Sequence, residues 1–143
     1  MIYETLYNYI QTTLEGVESV KKIISHPLNE SEIVDKYPCV MYFHSDFDNE
    51  FSSVKDNFMM VRFKIFIIVG GKPDDREFLY KTVLSRVMDD VIAEFNEKWD
   101  GGEIDGHRVW AILNSGMPSM TVTDKGIEAW AEMNLVIKMQ TTN

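Results

Sequence analysis

The run Phe58-Met-Met-Val-Arg-Phe-Lys-Ile-Phe-Ile-Ile-Val69 constrains the fold more than any other stretch of the chain. Arg62 and Lys64 interrupt it, so it falls short of the roughly 18 apolar residues that a membrane span needs. With the period of two of a β-strand, Met59, Val61, Phe63, Ile65, Ile67 and Val69 share one face, wholly apolar and hence core. Phe58, Met60, Arg62, Lys64, Phe66 and Ile68 share the other, which is apolar at its ends and basic in the middle. A neighbour is expected to cover that second face in part. A strand this long projects beyond a small sheet, as a hairpin arm or a subunit contact.

The strand breaks at Gly70-Gly71, and a helix is predicted from Asp74 or Asp75 to about Lys98. Either aspartate can cap the first turn, and both complement the helix dipole. Leu79, Val83, Val87, Val91 and Phe95 form one stripe, with Leu84, Met88 and Ile92 beside it, a face wide enough to cover a sheet. Lys98 and Gly101-Gly102 are the expected stop.

Before this central unit, residues 2–14 read as a short amphipathic helix, with Ile2, Leu6, Ile10 and Leu14 in register and Gly16 ending it. Val17 to Ile24 reads as a short strand or an irregular crossing, and 26–32 as a loop. Tyr37-Pro38 opens a strand, Cys39–Phe43, where proline removes no central ladder bond. A mobile acidic loop is expected at about 44–57. After the helix, Asp105-Gly106 turns the chain. His107–Leu113 is a strand, and Ser119–Thr123 is another or the rest of a bent one, with Gly116 and Pro118 between. Lys125-Gly126 turns again. The last strand alternates most cleanly: Ile127, Ala129, Ala131, Met133, Leu135, Ile137 and Met139 point inward. These elements predict one α+β domain over 1–143, a mostly antiparallel sheet covered by one long helix, with a short N-terminal helix.

A chain of 143 residues buries about 70% of its unfolded surface, enough for a core without disulfides or metal. The single Cys39 offers neither a disulfide framework nor a cysteine zinc site, and the first residues lack the pattern of a signal peptide. Synthesis in a reducing cytoplasm is the expectation. The net charge of −9, with no basic block, argues against a protein that grips a phosphate backbone. The acidity either aids solubility or keeps DNA from sticking as it passes.

No residue set carries a catalytic signature, and no cofactor is expected. Gly70-Gly71 lacks the lysine and hydroxyl of a P-loop and reads as a structural turn. Asp46, Asp48, Glu50 and Asp56 resemble part of a calcium loop, but Phe51 stands where glycine is needed, so a solvated acidic segment is the reading. Phe47 and Phe51 within it either tuck onto the core or await a partner. His26, His44 and His107 are isolated, without the spacing of a metal site. Trp99, Trp110 and Trp130 could line a pocket, or Trp110 and Trp130 could equally be neighbours across the sheet. Trp130, opposite in face to Ala129 and Ala131, is an interface candidate. With it we group Asp46, Phe47, Asp48, Glu50, Phe51, Arg62 and Lys64 as candidates for a subunit or partner interface.

The layout resembles the tail terminator (tail completion) proteins of long-tailed bacteriophages. The resemblance rests on the N-terminal helix, the strand opening Pro38-Cys-Val-Met-Tyr-Phe43, an extended second strand, the long helix with Leu84, Asp89-Asp90-Val91 and Phe95, and the late strands. It implies a non-enzymatic virion protein at the head-proximal end of the tail. Such proteins form a ring, usually of six subunits, that caps the tail tube and gives the head-completion or connector protein its docking surface. Its partners would be itself, the tail tube protein and that connector. DNA would pass through without specific binding, and no membrane would be involved. Two other classes fit the residues: a small ligand-binding or enzymatic domain with a pocket at Trp110 or Trp130, and an acidic regulatory module that blocks a partner.

Overall fold

A computed structural model describes residues 2–28, 34–51, 56–104, 106–123 and 126–142. Within these, the side chains of residues 2, 49–51, 56–57, 121–123 and 141–142 lie outside the description. In chain order the elements are α1 (Ile2–Glu15), β1 (Lys22–Ile24), β2 (Cys39–Phe51) and β3 (Asp56–Gly71). A 3₁₀ turn (Pro73–Asp75) then leads into a continuous helical rod. The rod is made of α2 (Arg76–Phe78), a π-helical turn (Leu79–Leu84) and α3 (Ser85–Glu97). β4 (Asp100–Ile104), β5 (His107–Thr123) and β6 (Gly126–Thr142) complete the chain.

The α+β expectation is corrected. Strands make up 52% of the structure, and six of them form a single sheet that curls into a half-barrel. The strand order is β1-β2-β3-β6-β5-β4, antiparallel except where β1 joins β2. Four strands of 13 to 17 residues carry the architecture, so the molecule is a curled β-sheet lined by helices rather than a sheet capped by a helical layer.

The physical reason lies in three misread stretches. The acidic segment expected as a loop is the second half of β2, paired with β3 as far as Phe51↔Asn57. Its polar row is tolerated because it faces away from the core. Residues 52–55, the rest of that predicted loop, lie outside the described residues. Gly101-Gly102 does not merely stop the rod; it lies in β4, where Gly101 packs closely on Val109 and Gly102 takes a positive φ of 67° at a bulge. Finally, β5 is continuous through Gly116 and Pro118, and a bulge between Leu113 and Ser115 absorbs the bend.

One face of the sheet holds the main core. Val61, Phe63, Ile65, Ile67 and Val69 of β3 meet Ala129, Ala131, Leu135, Ile137 and Met139 of β6, all fully buried. The rod and α1 cover this face. Leu6, Ile10 and Leu14 pack beneath α1, and Tyr7 meets Phe63 edge-on at 5.1 Å. The Tyr9 hydroxyl donates to the Lys98 carbonyl at 2.6 Å, tying α1 to the end of the rod. The rod's buried stripe is Leu79, Leu84, Val87, Val91 and Phe95, while Val83 is only half-buried. The wide π turn shifts the stripe by one residue from the regular spacing.

The opposite face carries a smaller cluster at the end of the sheet where β2 begins and β3 ends. Cys39, Met41 and Ile68 are buried there beneath Leu28 and Val34, which belong to the β1–β2 connection. Burial raises the Cys39 thiol to about 11. No helix among the described residues is long and apolar enough to cross a membrane, which says nothing of a β-barrel.

Candidate interaction surface

Alternation along β2, β3 and β6 decides which candidate residues come together. The even residues from Phe58 on β3, and from Glu128 to Gln140 on β6, face away from the helices. The bulge between His44 and Asp46 then brings Asp46 and Asp48 of β2 onto the same outer face, beside Arg62. Arg62 forks onto both carboxylates, at 2.8 Å to Asp46 and 2.7 Å to Asp48. Those two hydrogen bonds hold the guanidinium proton more tightly than usual. Lys64 reaches Glu132 on β6 at 2.6 Å. The basic pair predicted in the middle of β3 is therefore neutralised from both neighbouring strands.

Trp130 lies on this face too, in the row Phe43–Phe66–Trp130 that crosses three strands. Phe43 stacks on Phe66 at 5.8 Å, and Trp130 meets Phe66 edge-on at 6.0 Å. The Trp130 indole N–H is buried without a partner among the described residues. Nearby, the Tyr37 hydroxyl donates to Glu128 at 2.7 Å. Burial, followed by that carboxylate, drives the phenol well above its ordinary range.

Phe47 departs from the group. It is 50% exposed and, being one residue from Asp46 and Asp48, points to the helix side of β2. It neither joins the core nor contributes to the outer face. The side chains of Glu50 and Phe51 lie outside the description.

Two features escaped the sequence reading. Towards the β2–β3 turn, the outer face stays open and carries stacked cations: Lys138 over Phe58 at 4.3 Å and Arg108 over Trp110 at 5.6 Å. On β5, Ile112 and Met117 are 55% and 64% exposed. Period-two reading would have placed both outward, had β5 been recognised as one strand with a bulge.

The second feature is the state of the two sheet edges. β1 pairs only with Cys39–Met41 of β2, and β4 only with the start of β5, as far as Trp110. From Tyr42 to Phe51, and from Ile112 to Thr123, neither edge has a strand neighbour among the described residues. On the first, the His44 N–H is held by the Tyr7 hydroxyl at 2.9 Å.

An open cleft of about 510 Å³ lies between α1 and β2, lined by Tyr3, Tyr7, Gln11 and Tyr42 among others. Neither Trp110 nor Trp130 lines this cleft. The Tyr42 hydroxyl there is committed to Gln11 at 2.8 Å, and burial raises it to about 12. Among the described residues no three His, Cys, Asp or Glu side chains cluster as a metal site. No family model and no curated protein matches this chain.

Proposed function

We propose that this chain is a structural virion protein, a tail terminator that assembles as a ring on the tail tube and presents the docking surface for the head connector. The resemblance in layout motivates the reading. The observation that carries it is the pair of long strand edges, on opposite sides of one sheet, that have no strand neighbour among the described residues. An edge left with its N–H and C=O groups unpaired is a template for another chain, and proteins that remain alone usually blunt it. An exposed Ile112 and Met117 beside one edge fit the same purpose. The net charge of −9 would let DNA slide through such a ring without adhering. On this reading the protein is not an enzyme, and it resides at the head-proximal end of the tail after synthesis in the host cytoplasm.

Light scattering on the purified chain, with electron microscopy of the same sample, tests the assembly. The expected particle is a ring with a mass near six times 16.6 kDa, which co-sediments with purified tail tubes. A chain that stays monomeric at high concentration and does not bind tubes sinks the proposal.

A further inference from the structure

We infer that neighbouring copies join through a β-ladder between the free edge of β2 in one and the free edge of β5 in the next. The inference rests on the ring reading, and it names the contact that would build the ring.

The two edges fit in length, direction and position. β2 and β5 run antiparallel within the sheet and lie on opposite sides of it, so β5 of one copy beside β2 of the next continues the antiparallel order. The runs without a strand neighbour among the described residues are similar in length, 42–51 and 112–123, with the His44 N–H on the first already taken by the Tyr7 hydroxyl. At about 3.4 Å per residue, the shorter run allows a ladder of roughly 30 Å. With Asp46 opposite Ser119, Phe51 falls opposite Asn114, and the bulge between His44 and Asp46 sets Tyr42 opposite Val122. β1 of the second copy, confined to residues 39–41 of its β2, then overlaps β5 only at the last residue, Thr123, which falls opposite Met41. β4 of the first copy, confined to the start of β5, clears Phe51 of the second. Each short capping strand therefore stops within a residue of where the other copy's run needs room.

Side-chain rows agree with this register. Asp46 falls opposite Ser119 and Asp48 opposite Met117, all four on the outer face. Phe47 falls opposite Pro118 on the helix side, which gives its half-exposed ring an apolar neighbour. From Ala111 to Thr123 β5 carries no charge, so it meets the acidic row of β2 without like-charge repulsion. A two-fold pairing of β2 with itself would instead set Asp46 and Asp48 against their own copies, which costs stability. Pro118 removes at most one donor and is acceptable on an edge. A heterologous contact of this kind is also what closes a ring of more than two copies.

Cysteine cross-linking tests the ladder. In a Cys39→Ala background, Asp48→Cys and Met117→Cys are prepared as separate chains and treated with a short thiol cross-linker. The expected product is a linked pair in the mixture of the two and none in either alone. A chain carrying both changes should give a ladder of products. Links within the Asp48→Cys sample alone would overturn the inference in favour of two-fold pairing. No link in the mixture, while light scattering still reports a ring, leaves the ring reading standing and removes the ladder. A monomer removes both. Hydrogen exchange on the unmodified chain is independent of any substitution. Edge amides in 45–51 and 113–120 should slow by more than about tenfold as concentration rises into the assembled range. Slowing confined to other segments overturns the ladder.

Discussion

The two faces of the sheet are made from alternate residues of the same strands, yet they are built on different terms. On the helix side, every inward residue of β6 from Ile127 to Met139 is buried within one hydrophobic cluster. On the outer side, the same strand carries Glu128, Glu132 and Lys138, each held by a specific partner: a phenol, an ammonium and an aromatic ring. The first face is stabilised by area removed from water. The second gains little net free energy per contact, and its half-exposed ion pairs and stacked cations fix register and orientation. A face of the second kind can be covered by another chain without exposing a core.

The largest test of this contrast is a pair of truncations. Phe63→Ala, in the middle of the buried face, should cost about 3–5 kcal/mol in urea unfolding, whereas Ile112→Ala on the outer face should stay within about 0.5 kcal/mol. Comparable losses at the two sites would break the distinction between the faces.

An alkaline titration sharpens it, because each face holds a fully buried acid with a raised pKa. Cys39 rises from 9.0 to about 11 and Tyr42 from 10.0 to about 12, both mainly through burial. The unfolded chain therefore loses these protons first. Stability should be flat below pH 9 and fall as pH climbs through the window to about 12, by about 2 kcal/mol for each group. Cys39→Ala should lessen the earlier part of the fall and Tyr42→Phe the later part, to which the raised phenols of Tyr9 and Tyr37 also contribute. Stability that rises with pH in this window would contradict both burials.

The smallest expected effect is at the outer-face pair Lys64–Glu132, where both side chains keep about a third of their exposure. A double-mutant cycle to alanine should give a coupling under about 1 kcal/mol that shrinks with added salt. A salt-insensitive coupling of several kcal/mol would mean that this face behaves as core.

How far the sequence disclosed the molecule follows the same division. The inward rows of β3 and β6 and the rod were legible because burial on one side imposes a period that nothing else produces. The second half of β2 was not, because Asp46 and Asp48 look like loop residues until Arg62 is placed across from them. β5 was only half-legible: a bulge exchanges inward and outward positions at Ser115, so the alternation after it no longer continues the alternation before it. Of the candidate interface, the sequence grouped Arg62, Lys64, Asp46, Asp48 and Trp130, which do share a face. It could not find the open edges, since an unpaired strand is a property of what lies beside it.

The π turn from Leu79 to Leu84 has a consequence for how chains of this kind can vary in length. A π turn closes its hydrogen bonds over five residues where an α-helix uses four, so it holds one surplus residue. Deleting one residue there, at half-buried Val83 for instance, would leave Leu79 and the old Leu84 four apart, the regular helical spacing. The stripe from Val87 to Phe95 would keep its face on the sheet. A deletion elsewhere in the rod would turn every later side chain by about 100°. Across related sequences, gains and losses of single residues in the rod should therefore gather in this one turn.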